Sequence, residues 1–456
     1  MLKKFAPIIV LLIVCALALF YQGVPTKEIP TEGLNSGDIA WMLTSAAFVL
    51  LMTPGLAFFY GGMVNPKNVI STMMQSFVAM GIISILWVVV GFSLAFGTSK
   101  GITIGDTYYG LVGDPMSFFM FKGVLEHDPW SLATSIPFVL FAFFQLKFAV
   151  ITPALFTGSF SERIRFTSYI LFMILFCLFI YAPIAHWTWH PDGFLFKMGV
   201  LDFAGGTVVH ISAGCAALAG ALYLGKRKDK NHPTAINVPY ILLGTGLLWF
   251  GWFGFNAGSA VGASPLAASS FAATNVAAAA AGIAWLFVEV ARGKKPSAMG
   301  FCIGAVVGLV AITPAAGFVT ISQALFIGSI ASMISAGAIV LLAKSSIVDD
   351  TLDVFPCHGV GGMTGMIMTG LFASTAVNIV VLPAEQGLFI TGDPALLIKH
   401  FIALGIVVTY SLVGAYVLLF ITDKISPLRV TVEEEDLGLD ITQHDEKFVI
   451  ADLVKK

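Results

Sequence analysis

Two histidines stand in the same frame of a repeated pattern. Asp202-Phe-Ala-Gly-Gly-Thr-Val-Val-His210 is followed by Gly214, and Asp350-Thr-Leu-Asp-Val-Phe-Pro-Cys-His358 by Gly362. Each reads Asp, seven residues, His, three residues, Gly. An imidazole both donates and accepts hydrogen bonds, and apolar surroundings favour its uncharged form, so a facing pair suits a small polar solute. The structural alternative is that each ring merely bonds a neighbouring backbone carbonyl. A metal pair is disfavoured, because no His-Glu-x-x-His spacing and no nearby third ligand is visible. Each Asp precedes its His by about 12 Å of helix rise, near one end of any helix that holds both. A carboxylate there caps orphan backbone amides. For Asp202 a part in drawing in a cation stays equally open; for Asp350 the structural role is favoured.

These residues belong to a chain that reads as membrane-embedded. Of 456 residues 57% are apolar and only 11% charged, with a mean hydropathy of +0.91, against about 45–50% and about 25% in soluble domains. A soluble core is excluded. The balance of 24 basic and 26 acidic side chains gives no field for a polyanion, so no nucleic-acid partner is expected. Five cysteines, at 15, 177, 215, 302 and 357, stand singly in apolar runs as packing residues, without zinc or redox spacing. Neither a cofactor nor an enzymatic activity is expected.

Residues 1–21 resemble a signal peptide, with Lys3 and Lys4, an apolar run from Phe5 to Phe20 and a small-residue Ala16-Leu17-Ala18 site. Retention as an extra helix is the alternative. A polar outer segment, 22–38, follows. Apolar runs then fall at 39–64, 69–97, 131–157, 167–189, 204–224, 239–257, 271–291, 298–319, 321–343, 354–373 and 398–422. Each is long enough for a bilayer of about 30 Å. The expected fold is all-α and integral to the membrane, with eleven transmembrane helices. His210 lies in the fifth span and His358 in the tenth, so repeats 39–224 and 239–373 run in opposite senses, before a last helix, 398–422, and a cytoplasmic tail, 423–456. Inverted repeats of this kind build solute sites near the midplane. Loops assigned to the inside carry Lys67, Arg163, Arg165, Lys226, Arg227, Lys228, Lys230, Arg292, Lys294, Lys295 and Lys344; the outer ones carry Lys27, Lys100, Lys122, Lys197 and Lys399. That bias places the N-terminus outside and the tail inside. The 46 glycines suit helices that pack backbone to backbone.

Several longer motifs resemble the ammonium transporters of the Amt/MEP/Rh superfamily, the bacterial Amt type closely. They are Pro54-Gly-Leu-Ala-Phe-Phe-Tyr-Gly-Gly62, Ser161-Glu-Arg-Ile-Arg-Phe166, the Asp202–His210 segment, Trp252-Phe-Gly-Phe-Asn-Ala-Gly-Ser259 and His358-Gly-Val-Gly-Gly362. The resemblance implies an outer ammonium site, an aromatic cage of Trp189, Phe148 and Ser259, with Phe144 and Gln145 beside it and Trp252 close by. It implies a gate of Phe148 and Phe255 and a pore lined by His210 and His358. Ammonium would be selected at the cage, lose its proton, and pass as the neutral molecule; potassium offers no hydrogen-bond donor and no proton. A homotrimer in the bacterial inner membrane and a PII-type signal protein at the cytoplasmic face are implied as partners.

Three positions depart from the family pattern. Lys147 precedes the gate phenylalanine and is expected to point away from the pore. The stretch from Trp189 to Asp202 is slightly long for the family, so Trp187 rivals Trp189 for the cage. Gly438-Leu-Asp440 fits the regulatory tail segment, whereas His444-Asp445-Glu446 lacks a glycine after the histidine. The acidic run Glu433 to Asp436 is expected to be a solvated face, or part of the tail's docking to neighbouring subunits. Competing functions are an ammonium sensor that keeps the site, an intramembrane metalloenzyme, and an Rh-like gas channel, the last opposed by Trp189 and Ser259.

Overall fold

The computed structural model describes residues 2–21, 25–228 and 236–449. Met1, Gln22, Lys230 and the tail beyond 449 lie outside the described residues, as do the side chains of Lys3 and Lys4.

Among the described residues nine helices are long and apolar enough to cross a membrane: Ser36–Gly61, Pro66–Phe96, Phe138–Phe160, Phe166–Trp189, Gly206–Leu224, Val238–Gly258, Pro265–Ala291, Ile321–Ala343 and Ala395–Ile425. Two of the expected spans are shorter. Ala298–Ile312 has 15 residues, about 22 Å at the usual rise. It stops where Pro314 bars continuation, so the expected 298–319 run ends in turns. The expected 354–373 span begins as a π-helical turn, Phe355–Val360, and continues as Gly361–Phe372. Other limits moved because of caps. Pro137 precedes the first turn of Phe138–Phe160, and the Ser264 side chain accepts from Ala267 N, which starts that helix before residue 271. Leu2–Phe20 is helical, with Ile8, Leu12 and Phe20 exposed.

To the expected all-α architecture the structure adds a hairpin, Ser99–Ile104 paired antiparallel with Thr107–Gly113. Gly105, at φ +60°, takes the first turn position, as a two-residue hairpin loop requires. Hydropathy hid these strands inside a loop. The hairpin lies on the face opposite the tail, where Gly110 N donates to Asp192 O.

Glycine sets how closely the helices meet. A Cβ on Gly244 would lie 2.3 Å from Phe59 N, so helices Ser36–Gly61 and Val238–Gly258 cross backbone against backbone. A Cβ on Gly328 would lie 2.1 Å from Ala277 O, and one on Gly308 2.5 Å from the same atom. The glycines of the repeated motif are reciprocal. A Cβ on Gly214 would meet Gly359 N at 2.2 Å, and one on Gly362 would meet Ile211 Cγ1 at 3.0 Å and His210 Cβ at 3.2 Å. Each motif's glycine receives the backbone or Cβ of the other motif's histidine turn.

The tail docks on the rest of its own chain. Thr431 and Glu434 form a capping box, Glu434 pairs with Arg165 at 2.9 Å and Glu435 with Arg429 at 2.8 Å. The Thr431 amide and Arg165 hold the Glu434 carboxyl below its ordinary range. The Asp440 carboxylate takes Ile70 N at 3.1 Å and Ser71 N at 2.8 Å. The acidic run is therefore a solvated face only in part: Glu433 and Asp436 are exposed, whereas Glu435 is 7% exposed. Beneath it Arg227 bridges Glu162 and Asp349, both at 3.1 Å. The buried Arg163, drawn down to about 10 by burial, keeps its charge at neutral pH and donates to Asp349 O at 2.6 Å.

Gly214→Ala is expected to lower the unfolding midpoint in detergent sharply, because overpacking costs about 1–3 kcal/mol and here the colliding atom is backbone. Gly246→Ala, with nothing within 4 Å of the new Cβ, is expected to leave the midpoint unchanged or raise it slightly. Thermal unfolding of both variants, followed by size-exclusion of the soluble fraction, checks the contrast.

Candidate functional site

Both histidines sit in π-helical turns, Gly206–Ile211 and Phe355–Val360, a conformation that recurs at functional sites. The first turn is launched by Gly205 at φ +112° and held by Asp202. One carboxylate oxygen accepts Gly205 N at 2.8 Å and Gly206 N at 2.7 Å; the other accepts Thr207 N at 2.7 Å and the Thr207 hydroxyl. Four donors fill the carboxylate's acceptor sites, so Asp202 is placed as a cap. Asp350 is placed likewise, accepting Phe355 N at 2.7 Å, while its other oxygen is buried without a protein partner.

The two rings meet. His210 Nδ1 and His358 Nδ1 are 3.3 Å apart, with ring centroids at 5.4 Å and planes 19° apart. One of these nitrogens carries a hydrogen and the other accepts it. His210 Nε2 is buried with no protein partner and lines a cavity of about 10 Å³ with Leu56, Val209, Trp252, Phe255 and His358, room for about one water-sized molecule. Neither ring bonds a backbone carbonyl among the described contacts, which disfavours the structural alternative.

Above this pair lies a second cavity, about 130 Å³, lined by Trp130, Leu132, Phe141, Phe144, Gln145, Phe148, Trp189, Phe196, Phe203, Ser259 and Val261. Phe148 meets Trp189 edge to face at 5.8 Å and Phe144 at 5.0 Å. Below it, Phe148 and Phe255 lie 4.3 Å apart, and Phe255 reaches His210 at 5.9 Å. Trp189 is oriented by its indole N–H, which donates to Asp202 O at 3.2 Å, and Ser259 Oγ donates to Phe255 O at 2.8 Å, leaving its lone pairs free. Gln145 Oε1 is buried and has no protein partner.

The structure thus gathers Trp189, Phe148, Phe144, Gln145 and Ser259 around one cavity and His210 and His358 around the next, with Phe148 and Phe255 between them. Trp252 is a correction. It does not reach the upper cavity, because its ring stacks on His210 at 5.3 Å and its N–H is tied to Thr313 Oγ1 at 2.9 Å. Trp187 is excluded from the cage: its N–H donates to Leu111 O at 2.6 Å and its ring packs on Phe194 and Tyr410. Lys147 points away from the cavity, with Nζ 5.6 Å from the Phe143 ring centroid. Sequence reasoning missed Trp130, Phe141, Phe196 and Phe203; Phe203 stands inside the repeated motif itself, whereas Phe196, in the short helix Phe194–Lys197, has apolar neighbours that give no signal.

Long apolar helices around two narrow, stacked cavities define a multi-pass membrane protein with a candidate solute path. A profile of the Ammonium Transporter Family matches residues 40–448, and the chain belongs to that family. It is 45% identical over 414 residues to the ammonium transporter of Bacillus subtilis (strain 168), covering 91% of this chain and 98% of that one. Its structure is similar to the crystal structure of Saccharomyces cerevisiae Mep2, with a TM-score of 0.80, 34% identity and coverage of 88% of this chain and 89% of the other. It also resembles a solved structure described as a sensor Amt protein, with a TM-score of 0.79, 32% identity and coverage of 90% and 98%.

Asp202→Ala strands four close donors, whereas the close bond at Asp350 is the one from Phe355 N, so the first is expected to destabilise the start of its histidine turn more, by about 1–2 kcal/mol or above. Hydrogen exchange of residues 205–211 and 355–360 in the two variants checks this, and equal exchange in both would contradict the capping assignment.

Proposed function

We propose that the protein transports ammonium across the cytoplasmic membrane: the cation is recruited in the upper aromatic cavity, gives up its proton to water there, and passes as ammonia between Phe148 and Phe255 and along His210 and His358, while the proton crosses by a separate route so that net charge moves. The observation that carries this reading is the unbroken column of contacts from the upper cavity through Phe148 and Phe255 to the histidine pair. An aromatic face attracts a cation by about 0.5–2 kcal/mol, and Ser259 Oγ and Gln145 Oε1 offer acceptors for its N–H groups. Below the cavity the lining is apolar apart from the two imidazoles. A charge at the centre of a membrane helix costs about 2.5–3.5 kcal/mol on insertion scales, whereas ammonia needs only a donor and an acceptor, which the imidazoles supply.

The proposal includes eleven spans, arranged as inverted five-helix repeats over 39–224 and 239–373 with a closing helix at 398–422. In support, the nine long helices are joined by Ala298–Ile312 and the Phe355–Val360 turn with its continuation. The two capping aspartates also sit toward opposite faces, Asp202 near the Trp189 cavity and Asp350 beside the tail-face charge network. Removal of 1–21, an outer N-terminus, a cytoplasmic tail, homotrimeric assembly and a PII-type partner belong to the same proposal and rest on the sequence pattern and the family resemblance. The sensor alternative is less favoured, since the curated relatives from Bacillus subtilis and Aquifex aeolicus, 45% and 44% identical, are named ammonium transporters.

Ammonium pulses on proteoliposomes adsorbed to a solid-supported membrane are expected to evoke a saturable current that potassium does not evoke. His210→Ala is expected to reduce the maximal current, and Trp189→Ala to raise the half-saturating concentration. An internal pH signal without current would mean neutral ammonia conduction. Silence in both would overturn transport and restore the sensor.

A further inference from the structure

His400 was not singled out by sequence motif, and the column described above makes no use of it. It lies in the second turn of helix Ala395–Ile425 and is 0% exposed. Both ring nitrogens are engaged. Nδ1 is 2.7 Å from Met366 O, and a carbonyl only accepts, so Nδ1 carries the hydrogen. Nε2 therefore presents a lone pair, which accepts Leu201 N–H at 3.2 Å. One imidazole in one tautomer joins the last long helix, the helix that continues from the His358 turn, and the loop immediately before Asp202.

That loop holds the upper cavity together. Asp202 O accepts the Trp189 indole N–H, and the Asp202 carboxylate caps the His210 turn. Phe203 lines the cavity, packs on Phe318 with ring centroids 5.5 Å apart and donates its backbone N–H to Pro314 O at 3.1 Å. The chain from Val200 to Gly205 is neither helix nor strand, so its setting depends on such anchors. The second motif is held in the same manner: the residue before its aspartate, Asp349, is pinned through its carbonyl by buried Arg163 at 2.6 Å. Each Asp–His–Gly segment thus has a buried side chain from elsewhere in the fold gripping the backbone one residue before its aspartate.

We propose that His400 is a positioning residue for the upper site, setting the 201–203 loop through Leu201 N–H and, through Asp202 O, the indole of Trp189. This rests on reading the Trp189 cavity as the ammonium recruitment site. An apolar side chain at 400 would leave a buried amide without an acceptor, and the loop would relieve that by turning toward another. The histidine pair, held by its own cap and glycines, would be disturbed less than the cage.

The test compares His400→Leu with His400→Gln, whose amide oxygen can accept from Leu201 while its N–H₂ donates to Met366. Ammonium-evoked currents are measured across concentration and normalised to the monodisperse protein recovered. His400→Leu is expected to raise the half-saturating concentration by about threefold to tenfold, the scale of one net hydrogen bond, with a smaller change in maximal current per folded protein. His400→Gln is expected to restore most of the affinity. A loss of folded protein with unchanged half-saturation in His400→Leu would overturn the proposal, as would failure of Gln to rescue a folded variant. Hydrogen exchange over residues 199–207 supplies a readout independent of transport, expected to quicken in the Leu variant and not in the Gln variant. Should the wild-type protein give no ammonium signal, the transport reading fails; unchanged exchange in His400→Leu overturns the positioning role by itself.

Discussion

The close crossing of two glycine-bearing turns underlies the rest of this structure. Gly214 leaves room for the backbone of Gly359, and Gly362 leaves room for His210 Cβ and Ile211. No larger residue fits at Gly214 without moving backbone, and without that contact His210 and His358 would not face each other at 3.3 Å. In a bilayer the contact has a further reason: helices there gain little from burying apolar surface against one another, so close van der Waals packing carries their association.

The histidine pair in turn fixes what lies above it. His210 stacks on Trp252 and touches Phe255, Phe255 lies on Phe148, and Phe148 forms the floor of the upper cavity. Polar groups are sparse along this line and each has a clear place. Trp252 N–H is tied to Thr313 and Asp202 is filled by four donors, while Gln145 Oε1 and His210 Nε2 remain buried without a protein partner. Unpaired polar atoms are costly in the interior, and these two border the two cavities.

The tail face is organised by opposite means. Half-buried ion pairs among Arg227, Glu162, Asp349, Arg429 and Glu435, with the hydrogen bond from buried Arg163 to Asp349 O, tie the loops and tail to the start of the second motif. Burial pushes the Asp349 carboxyl up, and hydrogen bonds from Arg227 more than offset this, holding it below its ordinary range. The second motif is thus anchored by charge on one face, and the first by a neutral imidazole, His400, on the other.

Much of this was legible in the chain. Hydropathy marked the helices because backbone groups in lipid must be satisfied within each segment, and the Asp–His–Gly repeat marked the pair because identical spacing puts the same residues at equivalent points of two helices. The motifs also named most of the upper cavity. What the chain could not show was direction. Trp187 and Trp189 lie two residues apart, and only packing against Leu111 and Tyr410 turns one outward while Asp202 O draws the other in. Trp252 belongs with His210 because Thr313, 61 residues away, takes its N–H. The hairpin, the self-docked acidic tail and the grip of His400 on Leu201 are contacts between distant segments. Local pattern determined which stretches cross and which residue types could act; the tertiary structure decided which faces meet, since that depends on surfaces brought together only when the helices pack.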